Sequence, residues 1–275
     1  MNGAPPTVSL VATLGMYDFP WTAPANDELW RAVAVRLGAA GLTAPSSLTR
    51  DVDLHDLWVS PGLILGQTCG YPYVAALLQR VTLVATPIYD FAGCVGAANC
   101  SFLVTGKKSA RRTLADFRGA RALINNPDSN SGMNRFRAMI APMAGGKAFF
   151  AEVGVSGSHA ASIAALAADQ ADLASIDCVS FALMRRGRPE LVDNVRVIAK
   201  TAMTQGLPFI VSNALAPTYI HQLRLALADV LIDLSLAPAR KALGLTGMRI
   251  RAPEDYDDVA KLEREAIAAG YPVLA

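Results

Sequence analysis

The chain has 275 residues, of which 52% are hydrophobic and 17% are charged, and its formal net charge is +2 at pH 7. This composition supplies a sizeable core and excludes a disordered chain, while the near balance of charge excludes the strongly basic surface typical of nucleic-acid-binding proteins. A chain of this length suits one large domain or two domains of about 130 residues each.

Short β-rich runs alternate with helical patterns along most of the chain, which is typical of an α/β protein with parallel sheets. The β-rich runs predict strands at residues 7–14, 62–66, 81–88, 100–105, 120–124, 150–155, 173–176, 195–200 and 208–212. The helical patterns predict helices at residues 26–37, 71–80, 131–143, 158–168, 178–186, 217–236 and 255–269.

The sequence has two stretches that indicate joints between structural units: DFAGCVGAAN at 90–99 and TAMTQGLP at 201–208. They bracket one α/β block, which we predict to be lobe II at residues 98–201. The remaining residues, 1–97 plus 202–275, are predicted to form lobe I from both ends of the chain. A cleft is expected between the lobes.

The clearest candidate site is a polar cluster where the predicted strand ending at residue 124 becomes a helix. Its sequence, INNPDSNSGMNRFR, places Ser129, Asn130, Ser131 and Gly132 at the helix start. The first N–H groups of a helix are unpaired at the positive end of its dipole, so they suit an anion. The serines add hydroxyl donors, and Gly132 has no Cβ to hold a ligand away from the backbone. Ordinary N-capping is the alternative explanation.

A second cluster of this kind follows the predicted strand at 150–155, where Ser158 and His159 open the next helix. In an open α/β sheet such turns lie together at the carboxyl ends of the strands, so we expect both turns to contribute to one site. His159 either offers a ring N–H or a positive charge to an anion, or is a satisfied structural histidine. Asp177 follows the next strand and would take a ligand amine, orient His159 or cap a helix.

The four cysteines form no CxxC pair and are not accompanied by histidines at the spacing of metal ligands, so we predict no metal site. Cys94 and Cys100 either form a disulfide in an oxidising compartment or remain free buried thiols. Cys69 and Cys178 are candidate nucleophiles, but neither has a histidine and an acid partner nearby in sequence, so no catalytic residue is predicted. Phosphate-binding and nucleophile-elbow motifs are incomplete, and no cofactor is predicted.

Three segments of the chain resemble one known family: INNPDSNSGMN, SGSHAASIAALAADQADLASID and RVIAKTAMTQGLPFIVS. With the order of strands around them, they look like the solute-binding proteins of phosphonate- and phosphate-type ABC importers over about residues 80–215. The resemblance implies the type 2 periplasmic-binding-protein fold, an α/β fold with two lobes and two mixed, mostly parallel sheets joined by two hinge strands. The ligand of such a protein lies in the cleft between its lobes.

The resemblance also implies which residues bind the ligand. These are Tyr17, Thr68, Cys69, Gly70, Tyr71, Ser129, Asn130, Ser131, Gly132, Ser158, His159 and Asp177. The two helix starts would hold the ligand's oxygens, and Asp177 would meet its other substituent.

The residues implied from the opposite lobe have different roles. Tyr17 and Tyr71 would wall the cleft with their rings, with core packing as the alternative. Thr68 and the backbone of Gly70 would donate hydrogen bonds. Cys69 departs from the hydrogen-bonding residues that an oxyanion site normally uses.

The leading interpretation is a non-catalytic protein that closes its lobes over a small oxyanion, such as phosphate, phosphite, a phosphonate or a phosphate ester, as the solute-binding component of an ABC importer. Its partners would be that anion and an ABC permease, with no nucleic acid and no transmembrane segment. The alternative is a cytoplasmic enzyme similar to proteins of thiamin pyrimidine-precursor synthesis, or a ligand sensor or carrier on the same fold. The N-terminus lacks a signal-peptide pattern, so the sequence as given predicts a cytoplasmic protein. If a leader was removed, we expect a periplasmic protein.

Overall fold

A computed structural model of the protein describes residues 9–275. Its strands are β1 (Val11–Thr13), β2 (Leu63–Gln67), β3 (Val81–Tyr89), β4 (Cys94–Val95), β5 (Ala98–Asn99), β6 (Ser101–Gly106), β7 (Arg121–Ile124), β8 (Glu152–Val155), β9 (Leu173–Asp177), β10 (Val195–Lys200), β11 (Thr204–Gln205), β12 (Phe209–Ser212) and β13 (Leu245–Arg249). Its helices are α1 (Ala23–Ala39), α2 (Leu54–Trp58), α3 (Gly70–Pro72), α4 (Arg135–Ala144), α5 (His159–Ala167), α6 (Cys178–Gly187), α7 (Pro217–Ile232), α8 (Ala237–Leu243) and α9 (Asp257–Ala268). None of these helices combines the length and the apolar character needed to cross a membrane.

The predicted strands and helices are present with boundaries that differ by a few residues, except that the helix predicted at 71–80 is the short helix α3 followed by a π-helical turn at Tyr73–Leu77. The predicted strand at 7–14 begins outside the described residues, and its described part forms β1. The predicted helix at 217–236 ends at Ile232, because Asp233 leaves helical geometry and its side chain caps a separate 3-10 turn. Strands β4, β5, β11 and β13 and helices α2 and α8 were not predicted. Strands β4, β5 and β11 have only two residues each, β13 has no alternating apolar pattern, and α2 and α8 span two turns or fewer, which is too short for a helical period to show.

Unit 1 is the first of two compact units in the structure. It holds the described residues up to Thr68 together with Ala76–Pro87 and Leu207–Arg251. Its sheet has the order β1-β2-β12-β3-β13, with β1 parallel to β2 and β12 antiparallel to both β2 and β3. Helices α1 and α7 bury apolar side chains in its core, which includes Trp30, Leu37, Ile64, Val84 and Leu223.

Unit 2 holds Cys69–Ala75, Ile88–Gly206 and Ala252–Ala275. Its large sheet has the order β10-β6-β9-β7-β8, in which β7 is parallel to β8 and β9, whereas β6 is antiparallel to β9 and β10. The two stretches predicted as joints form a small antiparallel sheet of order β11-β5-β4. A π-helical turn at Asn130–Asn134 leads into α4, which helps to build the core of the unit.

Both large sheets are mixed, as predicted, but parallel pairs do not dominate them. Strand β6 is the first long strand after the chain enters unit 2 at residue 88, and β12 follows its return to unit 1 at residue 207. Each of these two strands runs antiparallel to both of its neighbours in the pairings given above. The antiparallel strands therefore arise where the chain changes unit.

The units differ from the predicted lobes in four segments. Residues 69–75, 88–97, 202–206 and 252–275 are predicted in lobe I, whereas their contacts group them with unit 2. The C-terminal segment belongs there because α9 packs along α4. At the N-cap of α4, Asn134 Nδ2 donates to the carbonyl of Val259 in α9 at 3.0 Å. These contacts join residues far apart in sequence, and hydrophobic periodicity carries no information about them.

Candidate functional site

Three chain segments of unit 2 meet at one edge of its large sheet. Strands β9, β7 and β8 are neighbours and run parallel, so their carboxyl ends lie at the same edge. Turn A, defined here as residues 129–132, follows β7, and turn B, defined as residues 156–159, follows β8. Asp177 is the last residue of β9. The sheet thus brings together the two polar clusters and the carboxylate that the sequence analysis singled out.

Turn A caps the start of its own helix. Ser129 Oγ accepts a hydrogen bond from the N–H of Gly132 at 2.9 Å, as an N-cap does. The N–H of Asn130 donates to Cys69 Sγ at 3.2 Å, and Asn130 Nδ2 donates to Thr204 Oγ1 at 3.1 Å. Two of the N–H groups that the sequence analysis assigned to an anion therefore have protein partners. What turn A has to offer a ligand is mainly its hydroxyl groups.

A hydrogen bond between Ser131 and His159 joins turn A to turn B. Ser131 Oγ lies 2.9 Å from His159 Nε2 and 3.3 Å from Ser129 Oγ. On β9, Ser175 Oγ donates to the Ser131 carbonyl at 2.5 Å. Ser158 is the N-cap of α5. The two turns and β9 are thus connected by one row of hydroxyl and imidazole groups.

The imidazole of His159 is neutral near pH 7. The residue as a whole is half-buried, but its Nδ1 atom is fully buried and, among the described residues, has no hydrogen-bond partner. Burial lowers the pKa of His159 to about 4, against a smaller opposite effect of the Asp177 carboxylate. We assign the tautomer with the proton on Nε2, because a proton on Nδ1 would be a buried donor without an acceptor. In that tautomer Nε2–H donates to Ser131 Oγ and leaves the Ser131 hydroxyl proton for another acceptor.

We expect the free energy of unfolding to fall as the pH drops from 6.5 to 4, with His159 responsible for part of the loss. The unfolded chain takes up a proton at His159 near pH 6.5, whereas the folded protein does so only near pH 4, so protonation favours unfolding in this window. The contribution is about 2 kcal/mol. Urea titrations followed by circular dichroism across this pH range measure it.

Two variants distinguish the contribution of His159 to this loss of stability from the general effect of acid. His159→Gln should lose less stability than the wild type between pH 6.5 and 4, whereas His221→Gln, at an exposed position, should follow the wild type. Equal losses in the wild type and in His159→Gln would contradict the assignment.

Asp177 belongs to a buried polar network that also includes Asn99 and Arg135, two residues that were not predicted as part of the site. One Asp177 oxygen accepts from the N–H of Ser180 at 2.8 Å and so caps α6, and the other accepts from Asn99 Nδ2 at 3.4 Å. Asn99 Oδ1 in turn accepts from Arg135 Nη2 at 2.6 Å. Arg135 is only 2% exposed, and its guanidinium also donates to Thr204 Oγ1. Asn99 therefore connects a buried cation to a buried carboxylate.

The space beside Gly132 is filled by protein. A Cβ atom built on Gly132 would lie 1.7 Å from Asn125 Oδ1 and 2.9 Å from Asn125 Cγ. The glycine is therefore required by the close approach of the Asn125 side chain. This differs from the sequence-based interpretation, in which the missing Cβ made room for a ligand.

Cys69, Gly70 and Tyr71 belong to unit 2 and pack against it. Burial raises the pKa of Cys69 and outweighs the opposite effect of nearby backbone N–H groups, so its thiol is a poor nucleophile. A Cβ atom on Gly70 would come within 3.3 Å of Val259. The Tyr71 hydroxyl donates to Glu263 Oε1 at 2.5 Å. Gly70 and Tyr71 thus face α9, whereas Cys69 contacts Asn130 of turn A.

Tyr17 and Thr68 lie in unit 1. Tyr17 is buried in a 3-10 turn, where its carbonyl accepts from Thr22 Oγ1 at 2.7 Å. Thr68 is also buried, and its N–H donates to the Pro208 carbonyl at 3.1 Å. The ligand-binding roles of these two residues remain predictions.

A basic groove lies at the opposite edge of the large sheet of unit 2. Because β6 is antiparallel to β9, its carboxyl end lies beside the amino end of β9. The loop at 106–111 and residues 166–169 help to line a groove of about 770 Å³ there. Its charge is partly neutralised, since Arg111 Nη1 lies 3.0 Å from Asp172 Oδ1. This groove therefore offers positive charge to an anion at a second place in unit 2.

Comparison with known proteins gives one family match. Residues 65–256 match the sequence model of a family described as the periplasmic substrate-binding protein of a phosphonate ABC transporter. This match confirms the resemblance found in the sequence. No curated protein matches the chain.

Several solved structures share the fold at low sequence identity. A binding protein component of an ABC phosphonate transporter from Pseudomonas aeruginosa aligns with a TM-score of 0.72 at 15% identity, covering 90% of this chain and 85% of that one. PhnD1 from Prochlorococcus marinus, in complex with methylphosphonate, has a TM-score of 0.70 at 14% identity, with 88% and 93% covered. A Xanthomonas citri protein bound to ATP has a TM-score of 0.69 at 16% identity, with 96% and 98% covered. These similarities confirm the predicted fold class.

Proposed function

This chain belongs to the family of periplasmic substrate-binding proteins of phosphonate ABC transporters, and from that premise we propose that it binds a phosphonate or a closely related phosphorus oxyanion through turns A and B. Family membership implies a solute and an ABC permease as partners. Methylphosphonate, the compound bound to the Prochlorococcus marinus protein, is the first ligand to test.

One observation carries the assignment to these turns: the 2.9 Å contact between Ser131 Oγ and His159 Nε2. It brings a hydroxyl of turn A and an imidazole of turn B to one point, with the Ser129 hydroxyl 3.3 Å from Ser131 Oγ. The oxygens of an ionised phosphonate are strong hydrogen-bond acceptors, so its site needs several donors close together. Two serine hydroxyls are donors of this kind, and His159 supports them because its Nε2–H donates to Ser131 Oγ and leaves the Ser131 hydroxyl proton for the ligand.

The charges around the turns suit an anion with a second, different substituent. Buried Arg135 contributes positive charge where the local dielectric constant is low, and the helix that begins at turn B adds the positive end of its dipole. Asp177 is buried as well and repels ligand oxygens. We therefore expect the oxygens to approach Ser129 and Ser131, and an amine or other non-acidic substituent to lie nearer Asp177.

Ligand binding is tested first with the wild-type protein and a panel of methylphosphonate, phosphite, phosphate and sulfate. At least one phosphorus oxyanion should raise the melting temperature by several degrees at saturating concentration and give a binding isotherm in calorimetry. Ser131→Ala should weaken that binding by about 10- to 100-fold, the value of one hydrogen bond to a charged group.

A matched serine controls for non-specific effects of the substitution. Ser46→Ala, at an exposed position of unit 1, should bind as the wild type does. The proposed site is wrong if Ser131→Ala binds with wild-type affinity, and the proposed ligand class is wrong if no phosphorus oxyanion binds.

A further inference from the structure

Three of the four cysteines lie together in unit 2, next to the network of Asp177. Cys94 Sγ and Cys178 Sγ are 3.7 Å apart, and the thiols of Cys100 and Cys178 share a hydrogen bond. The backbone holds the same residues together, since the N–H of Cys178 donates to the Cys100 carbonyl at 3.3 Å. All three are free thiols. Within residues 9–275 no group of side chains is placed to hold a metal ion, so these thiols are not arranged as a metal site.

Gly93 allows the close approach of these thiols. Its φ angle is +96°, which other residues rarely adopt, and the N–H of Cys100 donates to its carbonyl at 2.9 Å. A Cβ atom on Gly93 would lie 2.8 Å from Cys178 Cβ and 3.0 Å from Cys100 Sγ. Any side chain at this position would push the β4–β5 hairpin away from the start of α6.

We propose that Cys94 and Cys178 are a site of disulfide formation that links the β4–β5 hairpin to the first residue of α6. Their sulfur atoms need to approach by less than 2 Å to reach bonding distance of about 2 Å. Cys94 is the half-buried member of the trio, whereas Cys178 and Cys100 are 0% and 2% exposed. An oxidant from solvent therefore meets Cys94 first.

The acidities of the other two thiols agree with this order of events. A hydrogen bond with Cys178, together with burial, raises the pKa of Cys100, so Cys100 supplies little thiolate. At Cys178 a hydrogen bond with Cys100 lowers the pKa, but a hydrogen bond with Cys94 and burial raise it, and the net direction is upward. Cys178 thus acts second, after Cys94 has become an activated mixed disulfide beside it.

The reaction consumes one disulfide of the oxidant, R–S–S–R, such as oxidised glutathione or a disulfide-carrying oxidase. The Cys94 thiolate attacks one oxidant sulfur, forms a mixed disulfide and releases R–S⁻, which takes up a proton. The Cys178 sulfur then attacks Cys94 Sγ, loses its proton and expels the second R–S⁻. Two protein thiols are oxidised by two electrons, and the oxidant is reduced to two R–SH. The family is described as periplasmic, and the bacterial periplasm is an oxidising compartment.

The deciding experiment treats the full chain with oxidised glutathione and maps its cysteines by mass spectrometry without reduction. We expect two thiols to disappear, a cross-linked pair of peptides containing Cys94 and Cys178 to appear, and Cys69 and Cys100 to remain free. Cys100→Ser should form the same cross-link. Four free thiols after oxidation, or a cross-link through Cys100 or Cys69 in the wild type, would overturn the proposal.

Thermal stability gives a second readout that does not depend on peptide recovery. The bond would join residues 84 apart in sequence, so oxidation should raise the melting temperature by roughly 5 °C or more, and reduction should reverse the rise. Cys94→Ser should abolish this redox-dependent shift. A shift that persists in Cys94→Ser, or its absence in the wild type, would count against the Cys94–Cys178 bond.

Discussion

Gly132→Ala is expected to destabilise unit 2 by about 3 kcal/mol or more. The new Cβ atom would lie 1.7 Å from Asn125 Oδ1, far inside van der Waals contact, and 3.3 Å from the Asn125 backbone nitrogen. The backbone of turn A cannot shift easily to relieve this clash, because hydrogen bonds hold Ser129, Ser131 and Gly132 in place. Urea unfolding followed by circular dichroism measures the loss.

Two further variants identify the clash as its cause. Gly38→Ala adds the same methyl group in α1, where nothing lies within 4 Å, and should be neutral or stabilising by up to about 1 kcal/mol. Asn125→Ala removes the clashing carbonyl, so Gly132→Ala should cost less in that background than in the wild type. Equal costs in both backgrounds would show that the Asn125 side chain is not responsible.

Replacing Arg135 by methionine is expected to cost about 3–5 kcal/mol. The guanidinium of Arg135 is buried and donates to Asn99 Oδ1 and to Thr204 Oγ1, each at 2.6 Å. Methionine cannot replace either hydrogen bond. The substitution also removes the cation that Asn99 connects to buried Asp177. Unfolding is best followed by circular dichroism, because the three tryptophans, Trp21, Trp30 and Trp58, all lie in unit 1.

The control for Arg135 is an arginine on a helix surface. Arg31→Met, at an exposed position of α1, should change the free energy of unfolding by less than about 0.5 kcal/mol. Arg135→Lys keeps the charge but not the planar fork of donors, so it should fall between Arg135→Met and the wild type. A cost below about 1 kcal/mol for Arg135→Met would contradict the role given to this network.

The polar residues at the strand ends are predictable from the sequence because their placement follows from local patterns. Ser131, His159 and Asp177 each follow or end a recognisable strand, and neighbouring parallel strands bring such positions to one edge. The strands and longer helices were predicted for the same reason, since their periodicity extends over several residues. Ser129 and Asp177 also have the capping roles that the sequence predicts as alternatives.

The remaining features depend on contacts between distant parts of the chain. Asn130 meets Cys69 across 61 positions, and Tyr71 meets Glu263 across 192. No local pattern predicts such contacts, which explains why the roles of the C-terminal helix were missed. Arg135 had one usable signal, because it lies four residues after Ser131 and so shares its helical face. An arginine in a helix is nevertheless exposed in most proteins.

Hydrogen exchange of the backbone amides, with and without saturating methylphosphonate, tests most directly whether turns A and B form the ligand site. We expect slower exchange in peptides covering 124–137 and 153–163 together, and no change in peptides covering 105–111 and 166–172, which line the basic groove. Slower exchange in the groove peptides alone, with turns A and B unaffected by bound ligand, would contradict the account.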